Sequence, residues 1–126
     1  MEILASILTA VVAIEHIYIM WMEMFAWETV GKKTFGSSLP AELFTPTKSL
    51  AANQGLYNGF LAAGLIWSFF ISDPIWMYNI RLFFLGCVAV AATYGGITSS
   101  KSIAIKQGLP AYLALAAVLA AKYLIN

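Results

Sequence analysis

Four stretches of this chain are long and apolar enough to cross a lipid bilayer, and this restricts the fold more than any other feature. A crossing takes about 20 mostly apolar residues. The stretches run over residues 3–27, 50–71, 75–97 and 109–125. Hydrocarbon offers no partner to backbone N–H and C=O groups, so each stretch must be helical. The alternating pattern of a membrane barrel strand is absent. Composition agrees, with 61% of residues hydrophobic and 10% charged, whereas a soluble domain carries about 25% charged residues. Six acidic and seven basic side chains cannot cover a soluble globule of 126 residues. An ordinary cytosolic enzyme and a disordered tail are excluded. A net charge of +1 gives no basic field for a nucleic acid. The lone cysteine, Cys87, excludes an intramolecular disulfide framework and a CxxC zinc site.

The breaks between stretches give the topology. Gly31-Lys32-Lys33 closes the first, and Gly36 to Pro40 with Thr45-Pro46 fills the longest loop. Asp73-Pro74 is a tight turn whose proline opens the third helix at its first position. Thr98 to Gln107 is a polar connection, and Gly108 to Pro110 restarts the chain as the fourth helix. Short connections make antiparallel neighbours, so the expected fold is an all-α, four-helix transmembrane bundle, up-down-up-down. One integral membrane domain occupies residues 1–126. The first stretch lacks a basic leader and a small-residue cleavage site, and reads as a retained helix rather than a signal peptide. Lys32, Lys33 and Lys48 in the first loop, with Lys101 and Lys106 in the third, outweigh Lys122 at the C-terminal end. The positive-inside rule then puts those loops in the cytoplasm and both termini outside a cell membrane.

Ionisable side chains within a span are costly, which makes each a functional candidate. Glu15 and His16 lie near the middle of the first helix, and Glu23 lies two turns beyond His16 on the same stripe, which Trp27 extends. The three form a polar wedge that must face the bundle. The second helix opens with Asn53, Gln54, Tyr57 and Asn58, in which Gln54 and Asn58 share one face and Asn53 and Tyr57 the adjoining one. Gly55 and Gly59 form a GxxxG pair that permits close helix approach, within the bundle or across a dimer. Thr93 and Tyr94 on the third helix reach the same depth as Glu23. Arg81 either snorkels outward or pairs with Glu15. Trp21, Trp27, Trp67 and Trp76 read as interface anchors, and Cys87 as a packing residue. One histidine with two carboxylates is a poor metal site, and no metal or cofactor is assigned.

Two of these polar runs carry a resemblance. His16-Ile17-Tyr18-Ile19-Met20-Trp21-Met22-Glu23-Met24-Phe25-Ala26-Trp27 and Asn53-Gln54-Gly55-Leu56-Tyr57-Asn58-Gly59-Phe60-Leu61-Ala62 resemble the two signatures of a bacterial small membrane protein family catalogued as domain of unknown function 1304. Gln107-Gly108-Leu109-Pro110-Ala111 extends the likeness over nearly the whole chain. The resemblance implies four membrane helices and carries no catalytic roles with it.

Three functions fit the residues. The first is binding or transport of a small amphipathic or cationic molecule in an intramembrane pocket centred on Glu23 and lined by Asn53, Gln54, Tyr57, Asn58 and Tyr94. The second is acid–base chemistry on a lipid-like substrate, an isomerisation or epimerisation, with Glu15, His16 and Glu23 as the candidate catalytic groups. The third is a structural subunit whose polar layer only sets helix register. The expected partners are the lipid bilayer, a small-molecule or lipid-like ligand and a second copy of the chain.

Overall fold

A computed structural model describes residues 1–125, apart from the side chains at 103 and 125; residue 126, the last of the expected domain, lies outside it. All regular structure among the described residues is helical. Four long helices carry the fold: α1 (Glu2–Phe25), α3 (Lys48–Ser68), α4 (Pro74–Thr98) and α5 (Lys101–Leu119). A single-turn α2 (Lys32–Phe35) lies in the loop after α1. Three helical stretches are long and apolar enough to cross a membrane: Glu2–Phe25, Pro74–Thr98 and Ala104–Leu124. α3 is not among them, although it has 21 residues. Its first three turns hold Asn53, Gln54 and Asn58, which dilute its apolar content.

The helices form a ring in which α1 packs against α3 and α5, and α4 packs against the same two. Their registers are antiparallel between chain neighbours. Gly64 of α3 meets Phe84 of α4, and Ser68 meets Arg81. On the α4–α5 seam Gly96 faces Ala104, Gly108 faces Ala92, and Lys122 donates to Asn79 at the far end. Thr93 Oγ1 bonds the Tyr112 hydroxyl across the same seam and also donates to the Ala89 carbonyl at 2.8 Å.

The GxxxG pair is spent inside the chain. A Cβ on Gly55 would stand 2.8 Å from Met24 Cγ and 2.9 Å from Glu23 Cβ, and one on Gly59 would stand 2.5 Å from Met20 Sδ. The two glycines therefore let α1 and α3 approach closely. The interior beyond them is filled by Val12, Leu65, Leu85 and Val118, each no more than 1% exposed.

Two boundaries differ from the sequence reading. α5 begins at Lys101, so most of the expected polar connection from Thr98 to Gln107 is helix, and Pro110 lies inside it. A proline within a helix removes one backbone hydrogen bond, here the one to the Lys106 carbonyl. Lys106 is exposed, so that carbonyl is not sealed in the core. The first helix ends close to the expected residue 27, but ahead of Gly31-Lys32-Lys33. The break comes at Ala26, where φ of −136° leaves helical geometry, and a π-helical turn (Trp27–Gly31) runs on into α2. The Asp73-Pro74 reading agrees with the structure: Asp73 caps α4, accepting from Ile75 N at 2.9 Å and Trp76 N at 3.4 Å, with Pro74 at the first helical position.

Candidate functional site

The end of α1, the start of α3, the end of α4 and the start of α5 surround a chamber of about 540 Å³. Glu23 and Ile19 line it from α1, and Gln54, Tyr57, Asn58 and Leu61 from α3. Ala91, Ala92 and Gly95 form the α4 wall, and Ala104 and Gln107 the α5 wall. Phe35, Ser38 and Leu39 of the first loop, with Ser99 and Ser100, border its outer end.

Glu23 is the chemical centre of this chamber. Its side chain is 3% exposed, and Asn58 Nδ2 donates to its Oε1 at 2.6 Å. An ionised carboxylate can accept about four hydrogen bonds. No cationic side chain pairs with Glu23 among the described residues; the ion pair of this region is Lys48–Glu28, at 3.3 Å. Among these residues no group of three or more His, Cys, Asp or Glu side chains stands close enough to hold a metal ion.

The chamber wall beside Glu23 is fixed by Trp27. Its indole Nε1 donates to Thr47 Oγ1 at 3.0 Å, and its ring packs against Phe44 at 4.9 Å and Phe35 at 5.5 Å between centroids. Thr47 in turn donates to the Leu43 carbonyl at 2.6 Å. Trp27 is thus a chamber residue rather than the interface anchor expected of it, whereas Trp21, Trp67 and Trp76 are exposed as anchors would be. A second tie holds the loop to α3: Glu28 Oε2 accepts from Thr45 at 2.8 Å, and its other oxygen meets Lys48. The Thr45 hydrogen bond and the Lys48 ammonium hold the Glu28 carboxyl below the usual carboxylate range.

The structure places Glu23, Gln54, Tyr57 and Asn58 around one space. Asn53 is exposed and does not border the chamber. Tyr94 is 68% exposed and lies on the outward face of α4. His16 is 2% exposed and bonds the Val12 carbonyl through Nδ1 at 2.9 Å, so one ring nitrogen is already engaged by its own helix. Glu15 keeps a buried Oε1 without a hydrogen-bond partner, and neither it nor His16 lines the space around Glu23. The wedge of three ionisable groups is therefore not one site.

Arg81 neither snorkels nor pairs with Glu15. It is 2% exposed; its Nε donates to Ser68 Oγ at 2.9 Å, and its Nη1 donates to Ser6 Oγ at 3.0 Å. Its guanidinium lies 4.4 Å from the Phe69 ring centroid. It ties the start of α1 to the end of α3 across α4, at the opposite end of the molecule from the chamber.

Sequence reasoning missed Gln107, Ser99 and Ser100, because residues 98–107 read as a loop. A usable signal was present: Ala104, Gln107, Gly108 and Ala111 follow helical i, i+3, i+4 spacing through Pro110.

Residues 10–119 match the family described as a protein of unknown function, DUF1304. The chain belongs to this family. It is also similar to an uncharacterised protein, YpaA, of Lactococcus lactis subsp. lactis, with 37% identity over 116 residues, which is 91% of this chain and 96% of that protein. No solved structure matches the chain. Every residue bordering the chamber, from Ile19 to Gln107, falls inside the stretch that the family covers.

Proposed function

We propose that this DUF1304 protein is a multi-pass membrane protein that binds a small cationic or amphipathic molecule in the Glu23 chamber. One observation carries the proposal. A carboxyl that is 3% exposed lines an open space of about 540 Å³ with a single amide donor as its partner. Buried charge in proteins is paired, coordinated to a metal or neutralised. A cation entering the chamber supplies the missing partner, while Gln54, Tyr57 and Gln107 offer further polar contacts.

In this reading α3 crosses the membrane with the other three long helices, in up-down-up-down order. At 1.5 Å per residue it is about 30 Å long, which matches the hydrocarbon thickness. The polar turns that lower its apolar content carry Gln54 and Asn58 into the chamber. The chamber end of the molecule also carries Lys32, Lys33, Lys48, Lys101 and Lys106, so the positive-inside rule points its mouth towards the cytoplasm of a cell membrane.

Binding is the form of activity that the geometry favours over passage. The interior past Leu61 is closed by Val12, Leu65, Leu85 and Val118. Joint catalysis by Glu15, His16 and Glu23 loses support, because only Glu23 borders the chamber.

The test is calorimetric titration of the protein in phosphatidylcholine nanodiscs with octylammonium and with octanoate. Octylammonium is expected to bind saturably and octanoate not to bind. Glu23→Gln, which keeps the shape of the side chain, is expected to weaken octylammonium by at least about tenfold. Equal binding by the variant, or equal binding of both probes, contradicts the proposal.

A further inference from the structure

We infer that the ligand is a single-chain amphiphile whose hydrocarbon tail leaves the chamber between α3 and α4 and lies along the outward face of α4. The inference rests on the reading of the Glu23 chamber as a cation site and adds the class of molecule that fills it. Ala91 belongs to two spaces at once: it lines the chamber, and it lines an open apolar groove with Phe83, Gly86, Cys87, Val90 and Tyr94. The polar space around Glu23 and the apolar space on the lipid-facing side of α4 therefore meet at one residue.

Glycine placement keeps this route open. At Gly64 the two helices are filled against each other, since a Cβ there would stand 2.3 Å from the Phe84 ring. Nearer the chamber the facing walls are Leu61, Asn58 and Tyr57 on α3 and Ala91, Ala92 and Gly95 on α4, with the chamber between them. A Cβ on Gly95 would meet nothing within 4 Å, and the same holds for Gly86 on the groove floor. Phe84 thus wedges the seam at one level while glycine and alanine leave it unfilled at the next.

The chemistry of the two spaces differs in the way a head and a tail require. The chamber presents a carboxyl and side-chain amides, whereas the groove presents hydrocarbon, a thiol and the Tyr94 ring. From Ala91 to Leu82 the groove follows α4 for about 13 Å. All of its lining residues belong to α4, so a tail there lies along a single helix face, as one alkyl chain can.

The experiment uses decylammonium with a diazirine on its terminal carbon, photolysed with the intact protein in phosphatidylcholine nanodiscs, and maps the adducts by mass spectrometry. Adducts are expected on residues 83–90, falling about tenfold with excess octylammonium or in Glu23→Gln. Gly86→Leu fills the groove where a Cβ meets open space, so it is expected to fold normally and to move the adducts off α4. Adducts that depend on Glu23 but map to other helices overturn the tail placement and leave the chamber reading intact. Adducts on α4 that ignore both octylammonium and Glu23→Gln show partitioning like bulk lipid, and overturn both.

Discussion

Replacing Gly55 with alanine tests the seam that sets the position of Glu23. The added methyl group would stand 2.8 Å from Met24 Cγ, 2.9 Å from Glu23 Cβ and 3.1 Å from the Met20 carbonyl oxygen. Comfortable carbon–carbon contact is about 3.5–4.0 Å, so α1 and α3 must separate by several tenths of an ångström. Overpacking of this kind costs about 1–3 kcal/mol. Removing a mid-helix glycine returns about 0.5–1 kcal/mol, leaving a net loss of roughly 1 kcal/mol for Gly55→Ala. Gly86→Ala is the matched control, because its new Cβ meets nothing within 4 Å. It receives the helical gain alone and is expected to stabilise by about 0.5–1 kcal/mol. The difference between the two variants isolates the clash at about 1–3 kcal/mol. Reversible unfolding in mixed micelles, titrated with sodium dodecyl sulfate, measures both. If Gly55→Ala gained as much stability as Gly86→Ala, the seam would not be close-packed and the placement of Glu23 against α3 would be wrong.

Ser68→Ala leaves the buried Arg81 Nε without its acceptor, and is expected to cost about 1–3 kcal/mol in the same unfolding assay. The Glu28 tie is held by a carboxyl whose folded state resists protonation. Its contribution is therefore present above the ordinary carboxylate range and disappears as pH falls through the lowered folded value. Protection factors for amide exchange in the loop around Thr45, taken against the intrinsic rate at each pH, should fall on acidification, and Glu28→Gln should remove that pH dependence. With Cys87 replaced by alanine, single cysteines at Ser37 and Ser100 should label in intact cells only after the membrane is permeabilised. Labelling from outside would invert the proposed orientation.

The helices and the chamber were legible in the sequence to different degrees. Apolar length alone gave α1 and α4, and the Asp73-Pro74 pair gave the start of α4 to the residue, because a proline at the first helical position and an aspartate cap act locally. Helical spacing brought Glu23, Gln54 and Asn58 to a common level, since i, i+4 neighbours share a face whatever the tertiary setting. Tertiary choices were not legible. Pro110 reads as a helix start, but packing of Gly108 and Ala104 on α4 carries the helix through it. The stripe that joins His16 to Glu23 is real, yet two turns of helix separate them, and the chamber reaches only Glu23. Arg81 found serines rather than a carboxylate because the antiparallel register brings the start of α1 and the end of α3 to its level. Tyr94 lies at the depth of the chamber but on the outward face of α4, and a single helix's periodicity cannot decide between the two faces.

The central claim is that a cation sits against Glu23 inside the chamber. Solid-state nuclear magnetic resonance reads this contact directly, with ¹⁵N-octylammonium added to protein carrying ¹³C at the side-chain carboxyl carbons of glutamate. A dipolar distance of about 4 Å to the Glu23 carboxyl, absent in Glu23→Gln, is the predicted result. Saturable octylammonium binding with no dephasing of that carbon would contradict it.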